Sequence, residues 1–286
     1  MHRILCSTGA LLGMPNGRNW RLLADCRDRL QCDGYELMFY DSWYPEAREI
    51  VAFVQKIGLP VFAWHCEKKV GELLALDERD EAVRQFARNC AMAADLGAGL
   101  MVLHLWNGKV SDAHIGRNAA AYPMLLEIAE KYGVDLTVEN VVCAHQDPLT
   151  HWHTLVDQYP QIGLTLDTKM AAFHDQLAAY YAEENAGLWQ KNIRHIHVND
   201  YGGGYLDWAN LRTLHPGAGR IDFDPFFDCL RKVRYAGDFT VEGTSFLPDG
   251  VIHWEDLNRT FRWLREKLSL HAEQPEGHGP GCAVAG

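Results

Sequence analysis

Several patterns are missing from this sequence of 286 residues, and each absence removes a class of protein. None of the eight cysteines forms a CxxC pair, so neither a zinc knuckle nor a disulfide framework is expected. No apolar run approaches the roughly 20 residues of a membrane span, and the first residues lack the apolar core of a secretion signal. We therefore expect reduced, mostly buried thiols, no membrane partner and a cytoplasmic location.

Basic clusters and nucleotide-binding loops are also missing. The formal net charge is -11, and no group of Lys and Arg residues stands out against it. Such a balance disfavours nucleic acid as a partner, and it favours an unphosphorylated small molecule over a phosphorylated one. No GxGxxG follows the first apolar run, which lowers the expectation of a doubly wound, dinucleotide-binding sheet.

What the chain does contain is a regular alternation of short, β-branched apolar runs with longer segments of helical period. The alternation predicts an α/β protein with eight βα units, which in about 270 residues matches a closed (β/α)8 TIM barrel. We assign residues 1–270 to a single barrel domain and residues 271–286, rich in Gly and Pro, to a flexible tail that could not join the core. The predicted strands span residues 3–8, 34–40, 60–66, 99–106, 134–140, 162–168, 193–199 and 238–243.

The most informative residues end the last four predicted strands. In a barrel, alternate strand residues point inward, and the functional face lies at the carboxyl ends of the strands. Three carboxylates in that mouth would repel one another unless a divalent cation bound them. One such residue alone is more often a helix cap, but four in equivalent places predict a metal site. The last inward residues are Glu139, Asp167, His197 and Glu242.

Oxygen donors with one imidazole favour a hard cation. We expect one divalent ion, with Mn²⁺ first and Mg²⁺, Co²⁺ or Zn²⁺ as alternatives. Two residues earlier on the same strand faces lie Thr137, Thr165 and Thr240, which we expect to donate hydrogen bonds that orient the carboxylates.

At these residues the chain resembles the xylose isomerase-like superfamily of sugar isomerases and epimerases. The resemblance spans residues 3–268 and rests on "TVEN", "LTLDT", "HIHVND", "HPGAGRIDF" and "FTVEG". In the ketose epimerases of that superfamily a Glu, an Asp, a His and a second Glu hold a divalent metal, and these match Glu139, Asp167, His197 and Glu242. The resemblance implies that Glu139 and Glu242 exchange a proton with the C–H beside a sugar carbonyl, through an enediolate.

Two departures from the superfamily concern the sugar pocket. Where many relatives have a substrate-binding His after the sixth strand, "DTKMAAFH" has Met170, and His174 lies one turn later. Where the ketose epimerases have an Arg after the seventh-strand His, this chain has "NDYGGGYLDW". The metal centre is therefore matched more closely than the pocket, and we keep His174 as a candidate substrate contact.

Further candidates lie on the predicted rim of the barrel. His65 and His104 follow the third and fourth strands and are candidate catalytic residues, although either could only be a hydrogen-bonded histidine of the barrel mouth. Glu36, on the second strand, would complete an acid–base ring with them as a substrate contact. Trp106 and Trp208 would offer flat faces to a sugar, or to a glycoside with an aromatic portion. We interpret Lys169 as a solvated charge.

The leading hypothesis is a metal-dependent sugar isomerase or epimerase of carbohydrate metabolism, with a homo-oligomer as a candidate assembly. A lyase is the main alternative, because the same proton removal can expel water or an aglycone from an oxidised sugar or glycoside. A multi-metal nuclease is disfavoured by the negative charge and by Met170. A sugar-binding protein without turnover is the last alternative.

Overall fold

A computed structural model describes residues 2–107 and 111–273. Its eight strands are all parallel to their neighbours, and β1 also pairs with β8, so the sheet closes in the order of the sequence. The predicted (β/α)8 barrel is therefore confirmed. The strands are β1 Ile4–Ser7, β2 Gly34–Met38, β3 Val61–His65, β4 Leu100–Leu103, β5 Asp135–Glu139, β6 Gly163–Asp167, β7 Ile193–Val198 and β8 Asp238–Val241.

Helices surround the barrel. Among the described residues the α-helices are α1 Cys26–Arg29, α2 Ala47–Ile57, α3 Lys69–Ala75, α4 Arg79–Asp95, α5 Ile115–Lys131, α6 Pro148–Gln158, α7 Thr168–Phe173, α8 Leu177–Tyr181, α9 Ala186–Lys191, α10 Asp224–Val233 and α11 Trp254–Glu273.

The eight strands lie within one to three residues of their predicted bounds, whereas some helices differ more. The sequence predicts a first helix over residues 19–30, and this segment is largely the 3-10 helix Trp20–Asp25. The sequence also predicts a helical segment near residues 171–190, which divides into α7, α8 and α9. The helix α3 was not predicted. Its Gly71 lies so close to the end of β4 that an added Cβ would stand 2.5 Å from the His104 carbonyl oxygen, a tertiary contact that the period of the sequence does not contain.

Four glycines follow predicted helical segments in the sequence and are expected to end helices, namely Gly58, Gly97, Gly133 and Gly237, and three of them do so. Gly58, Gly97 and Gly133 follow α2, α4 and α5 with φ of 63°, 73° and 69°, in the left-handed region that glycine adopts without steric cost. The same role for Gly237 is wrong. Helix α10 ends at Val233, and Arg234 takes the left-handed conformation there.

The described cysteines are all free, and six of these seven are buried; Cys282 lies outside the described residues. No helix of the described chain is long and apolar enough to cross a membrane. The last helix continues to Glu273, three residues into the predicted tail, and residues 274–286 lie outside the description.

Candidate active site and metal centre

The four candidate ligands meet at the carboxyl end of the barrel. Glu139 and Asp167 are the last residues of β5 and β6, His197 lies in β7, and Glu242 follows β8 directly. The His197 Nδ1 lies 3.5 Å from the Glu139 Oε1 and 3.6 Å from the Glu242 Oε2. One ligand atom each of Glu139, Asp167 and His197 lies within 4.8 Å of the others. Three of the predicted ligands therefore form one cluster, and Glu242 adjoins it through His197.

The two ring nitrogens of His197 have different surroundings. Its Nε2 lies 3.1 Å from the Glu36 Oε2, so a proton on Nε2 is held there. Its Nδ1 is buried and has no hydrogen-bond partner among the described residues, although the Glu139 and Glu242 carboxylates stand around it. A divalent cation fits this position, because in place of a proton on Nδ1 the ion satisfies the nitrogen and the surrounding negative charges together.

The carboxylates of this cluster are electrostatically costly without such a cation. Asp167 is fully buried, and burial together with the nearby Glu139 and Glu242 raises the pKa of Asp167 to about 6 in spite of Lys169. Burial would lower the pKa of His197, but the negative charges of Glu36 and Glu242 outweigh it and hold the pKa well above its usual value. Both shifts have the sign expected of a cluster with excess negative charge.

Glu139 also contacts the two histidines from the neighbouring strands. Its Oε2 lies 2.6 Å from the His104 Nε2 and 3.3 Å from the His65 Nε2. Burial alone would raise the pKa of Glu139, but its contacts with His104 and His197 hold that pKa well below the usual range. Burial lowers the pKa of His104 to about 4, so this imidazole is neutral at pH 7. Glu139 is thus an ionised carboxylate with a neutral imidazole beside it.

The hydrogen bonds that orient the carboxylates do not come from the expected threonines. Thr137 and Thr165 bond to each other at 2.7 Å, and Thr240 donates to Glu36 at 2.9 Å. Because the threonines lie one layer deeper in the barrel, the donor that orients two of the carboxylates is instead Asn199.

Asn199 is the residue that sequence reasoning missed. Its Nδ2 donates to the Asp167 Oδ2 at 3.0 Å and to the Glu242 Oε2 at 3.1 Å, and thereby holds these two carboxylates in place. A signal for it was present in the sequence, because Asn199 directly follows β7 and continues the alternation of His195 and His197 on its inward face.

A cavity of about 140 Å³ opens directly above the cluster. Lys169 lines this cavity, and its interpretation as a solvated charge is wrong, because the residue is only 7% exposed. Its Nζ donates to the Thr213 Oγ1 at 2.9 Å and lies 3.8 Å from the Asp167 Oδ2. Burial would lower the pKa of Lys169, but the carboxylates of Asp167 and Glu242 raise it, so the ammonium is charged. The cavity lining includes His65, His104, Glu139, Lys169, Met170 and Glu242.

The four proposed substrate contacts are not among the described residues that line this cavity. Glu36 is fully buried beneath it, and its Oε2 accepts hydrogen bonds from His195, His197 and Thr240. Glu36 thus contacts His197 on the side of the imidazole away from the cavity. Its role as a substrate contact stays a prediction without support from the geometry.

The other three proposed contacts are held by the surrounding loops. Trp106 is fully buried and donates from Nε1 to the Val141 carbonyl at 2.7 Å. His174 accepts from the Cys143 backbone N–H at 2.9 Å, and burial lowers its pKa to about 4. Trp208 is 37% exposed and packs edge to face on Phe173. Loop packing therefore occupies most of the polar groups that the sequence suggested for a ligand.

An eight-stranded parallel barrel with a carboxylate-rich site at the strand ends places the chain among the TIM-barrel proteins. Within them it belongs to the xylose isomerase-like TIM barrel family, whose model matches residues 27–267. This confirms the resemblance read from the sequence motifs. No curated protein sequence matches the chain significantly.

Solved structures of the same fold include sugar epimerases. An L-ribulose 3-epimerase has a TM-score of 0.71 at 19% identity, and the similarity covers 98% of this chain and 100% of that one. The 3-keto-D-glucoside 4-epimerase of E. coli has a TM-score of 0.65 at 18% identity, with 93% and 100% covered. The IolI protein with a bound zinc atom has a TM-score of 0.70 at 15% identity, with 95% and 100% covered. At these identities the comparisons establish the shared fold.

Proposed function

We propose that this protein is a divalent-metal-dependent sugar isomerase or epimerase that acts by proton transfer. The observation that carries the proposal is the buried, unpartnered Nδ1 of His197, which faces the carboxylates at the barrel mouth. The residues that would hold the ion are Glu139, Asp167, His197 and Glu242.

A bound divalent cation supplies Lewis acidity to the oxygens of the sugar and lowers the cost of negative charge beside its carbonyl. The oxygen-rich donor set favours Mn²⁺ in our proposal, while the IolI protein of the same fold is described with zinc. The free cysteines accord with a cytoplasmic site of action, which we also propose.

The proton transfer is assigned to the two glutamates. Glu139 is suited to be a base, because its contacts with His104 and His197 keep it ionised. Glu242 has a 10% exposed side chain, lines the same cavity and is oriented by Asn199. In an epimerisation one glutamate takes the proton from the carbon beside the carbonyl, and the other returns a proton to the opposite face of the enediolate. Lys169 places its positive charge where negative charge develops.

The fold comparisons support the reaction class. Among the solved structures with this fold are epimerases described for L-ribulose and for a 3-keto-D-glucoside, and a D-psicose 3-epimerase described with D-tagatose. A substrate with a ketone beside a C–H bond is common to these descriptions, and we propose a sugar of that kind here.

The test combines metal analysis with isotope exchange. Purified protein is analysed for metal, stripped, reloaded with Mn²⁺ and incubated with ketohexoses and 3-keto-glucosides in deuterated water. We expect one ion per chain and deuterium at the carbon beside the carbonyl in an unchanged skeleton. Release of water or of an aglycone would instead indicate the lyase, and several ions per chain would indicate the nuclease chemistry.

Two variants assign the proton-transfer groups. Glu139→Gln and Glu242→Gln should each lower exchange by about 10²–10⁴-fold, the usual contribution of a general acid or base, while metal is retained. The matched control Glu49→Gln removes an exposed carboxylate of α2 and should leave exchange unchanged. Full activity in both site variants would reject the assignment.

A further inference from the structure

A second cavity adjoins the candidate active site on the side of β2 and β3. This groove has a volume of about 450 Å³, and it shares Met38 and Lys68 with the cavity of about 140 Å³ above the metal cluster. Met38 ends β2, and Lys68 lies in the loop that follows β3. Both cavities are therefore on the carboxyl-end face of the barrel and adjoin each other at these two side chains.

The size of the inner cavity limits what it can hold. Sites for small molecules usually have volumes of about 300–1,000 Å³, and the inner cavity alone is well below that range. The groove and the cavity together lie within it. A ligand that fills both is larger than a single sugar ring.

The charged residues of the groove balance one another. Three are basic and three acidic, so the groove has no net formal charge and does not select for a phosphate or another anion. Many polar groups without net charge are suited to an uncharged ligand with many hydroxyls, because each hydroxyl both donates and accepts. The six charged residues are Arg18, Asp41, Glu67, Lys68, Lys69 and Glu72.

Arg18 is held in position before any ligand binds. Its backbone has a φ of 49°, its N–H donates to the Gly13 carbonyl at 2.8 Å, and its own carbonyl accepts from the Trp43 Nε1 at 3.1 Å. The guanidinium lies 4.3 Å from the centre of the Tyr40 ring, and its buried Nε has no hydrogen-bond partner among the described residues. An arginine that its backbone contacts and the Tyr40 ring fix in the groove wall offers guanidinium N–H donors to a ligand acceptor.

The aromatic faces that would receive an aromatic aglycone are not available here. Trp43 is 5% exposed and Trp106 is fully buried, so the loops themselves cover these rings. Arg18 already lies over the ring of Tyr40. The groove therefore favours a hydroxyl-rich unit over a flat apolar one.

We propose that the groove is a second subsite, which binds an uncharged, hydroxyl-rich unit such as a second sugar ring joined to the reacting sugar. The substrate class is then a keto-glycoside rather than a free ketose. This inference rests on the proposed function, because the reacting ring is taken to occupy the inner cavity.

The test uses two probes that differ only in the second unit: methyl 3-keto-β-D-glucopyranoside and 3-keto-cellobiose. Binding to the Mn²⁺-loaded full-length protein is measured by calorimetry, and deuterium exchange is measured separately. We expect 3-keto-cellobiose to bind at least about tenfold more tightly, the effect of one hydrogen bond to a charged group.

Arg18→Asn removes the guanidinium while Asn tolerates the left-handed backbone. It should abolish the tenfold preference and leave the binding and exchange of the methyl glycoside unchanged. The matched control is Arg21→Asn, an exposed arginine outside the groove lining, which should retain the preference.

The outcomes separate the two proposals. Equal binding of both probes by the wild-type protein, or an unchanged preference in Arg18→Asn, overturns the second subsite even when exchange occurs. A preference that depends on Arg18 without any exchange supports the subsite and overturns the proposed reaction. Binding of neither probe overturns the second subsite, while the exchange assay on ketohexoses decides the proposed function separately.

Discussion

The replacement of Asp167 by Asn should stabilise the metal-free protein at pH 7 and destabilise it at pH 4. Burial and the neighbouring carboxylates raise the pKa of Asp167 from 3.8 to about 6. The folded state therefore binds this proton more tightly than the unfolded state, and the contribution of Asp167 to stability falls as the pH rises from about 4 to about 6. Two pKa units correspond to about 3 kcal/mol.

Some of this gain is lost through changed hydrogen bonds. The amide oxygen of Asn can still accept from the Met170 N–H, which the Asp167 Oδ1 does at 3.0 Å, but its NH₂ group cannot accept from Asn199 as the Oδ2 does. A lost hydrogen bond costs about 1 kcal/mol. The variant should therefore be more stable than the wild-type protein by about 2 kcal/mol at pH 7 without metal, and less stable by about 1 kcal/mol at pH 4.

Urea denaturation in the presence of a chelator, from pH 4 to pH 8, measures this difference. Asp112→Asn is the matched control with the opposite sign. Burial alone would raise the pKa of Asp112, but His151 and the N–H groups of Ala144 and His145 lower it to about 2. The loss of this carboxylate should therefore cost about 2 kcal/mol of stability at pH 7. That cost should shrink as the pH falls from about 4 to about 2.

The raised pKa of Asp167 is refuted if the metal-free Asp167→Asn variant is less stable than the wild-type protein at pH 7. It is also refuted if the difference in stability between the two proteins is the same at pH 4 and pH 7. Addition of Mn²⁺ should reverse the order at pH 7. A ligand at 100 times its Kd adds about 2.7 kcal/mol to the protein that binds it, and the variant has lost one of the proposed ligands.

Three further variants test the surroundings of the site. Glu36→Gln keeps the shape behind His197 but removes its charge, and it should weaken Mn²⁺ binding by about 10–100-fold in a calorimetric titration; unchanged affinity would exclude an orienting role. Lys169→Met should lower kcat by about 10²-fold with little change in KM, while equal turnover would show that the ammonium does not act on the reaction. Gly71→Ala should lower stability by about 1–3 kcal/mol in urea, because its Cβ would meet the end of β4, whereas Gly99→Ala has open space and should be neutral.

The barrel itself was predictable from the sequence because its signal is local and repeated. Each strand is a short β-branched run followed by a helical segment, and this periodicity survives in the structure with shifts of a few residues. The cluster of candidate metal ligands was predictable for the same reason. Strand alternation and closure determine which residues point into the mouth, so Glu139 and Asp167, at the ends of β5 and β6, had to lie together once the barrel was assumed.

What the sequence did not reveal depends on contacts between distant loops. The sequence does not show that Lys169 is buried, because this depends on the contact of its Nζ with Thr213. It also does not show that Trp106 is unavailable to a ligand, because this depends on the hydrogen bond from its indole N–H to the Val141 carbonyl. Helix α3 depends likewise on the approach of Gly71 to β4. Such contacts arise from long-range packing, which has no period along the chain.

The ammonium group of Lys169, 3.8 Å from the Asp167 carboxylate, has a consequence for how this protein matures. Together with the imidazolium of His197 it gives the cluster positive charge of its own, so we expect the barrel to close before it acquires any ion. Small zinc domains, in contrast, remain unfolded until the metal arrives. Under the proposed function, loading is then a separate and reversible event, and the ion in the protein reflects the ions that its surroundings offer.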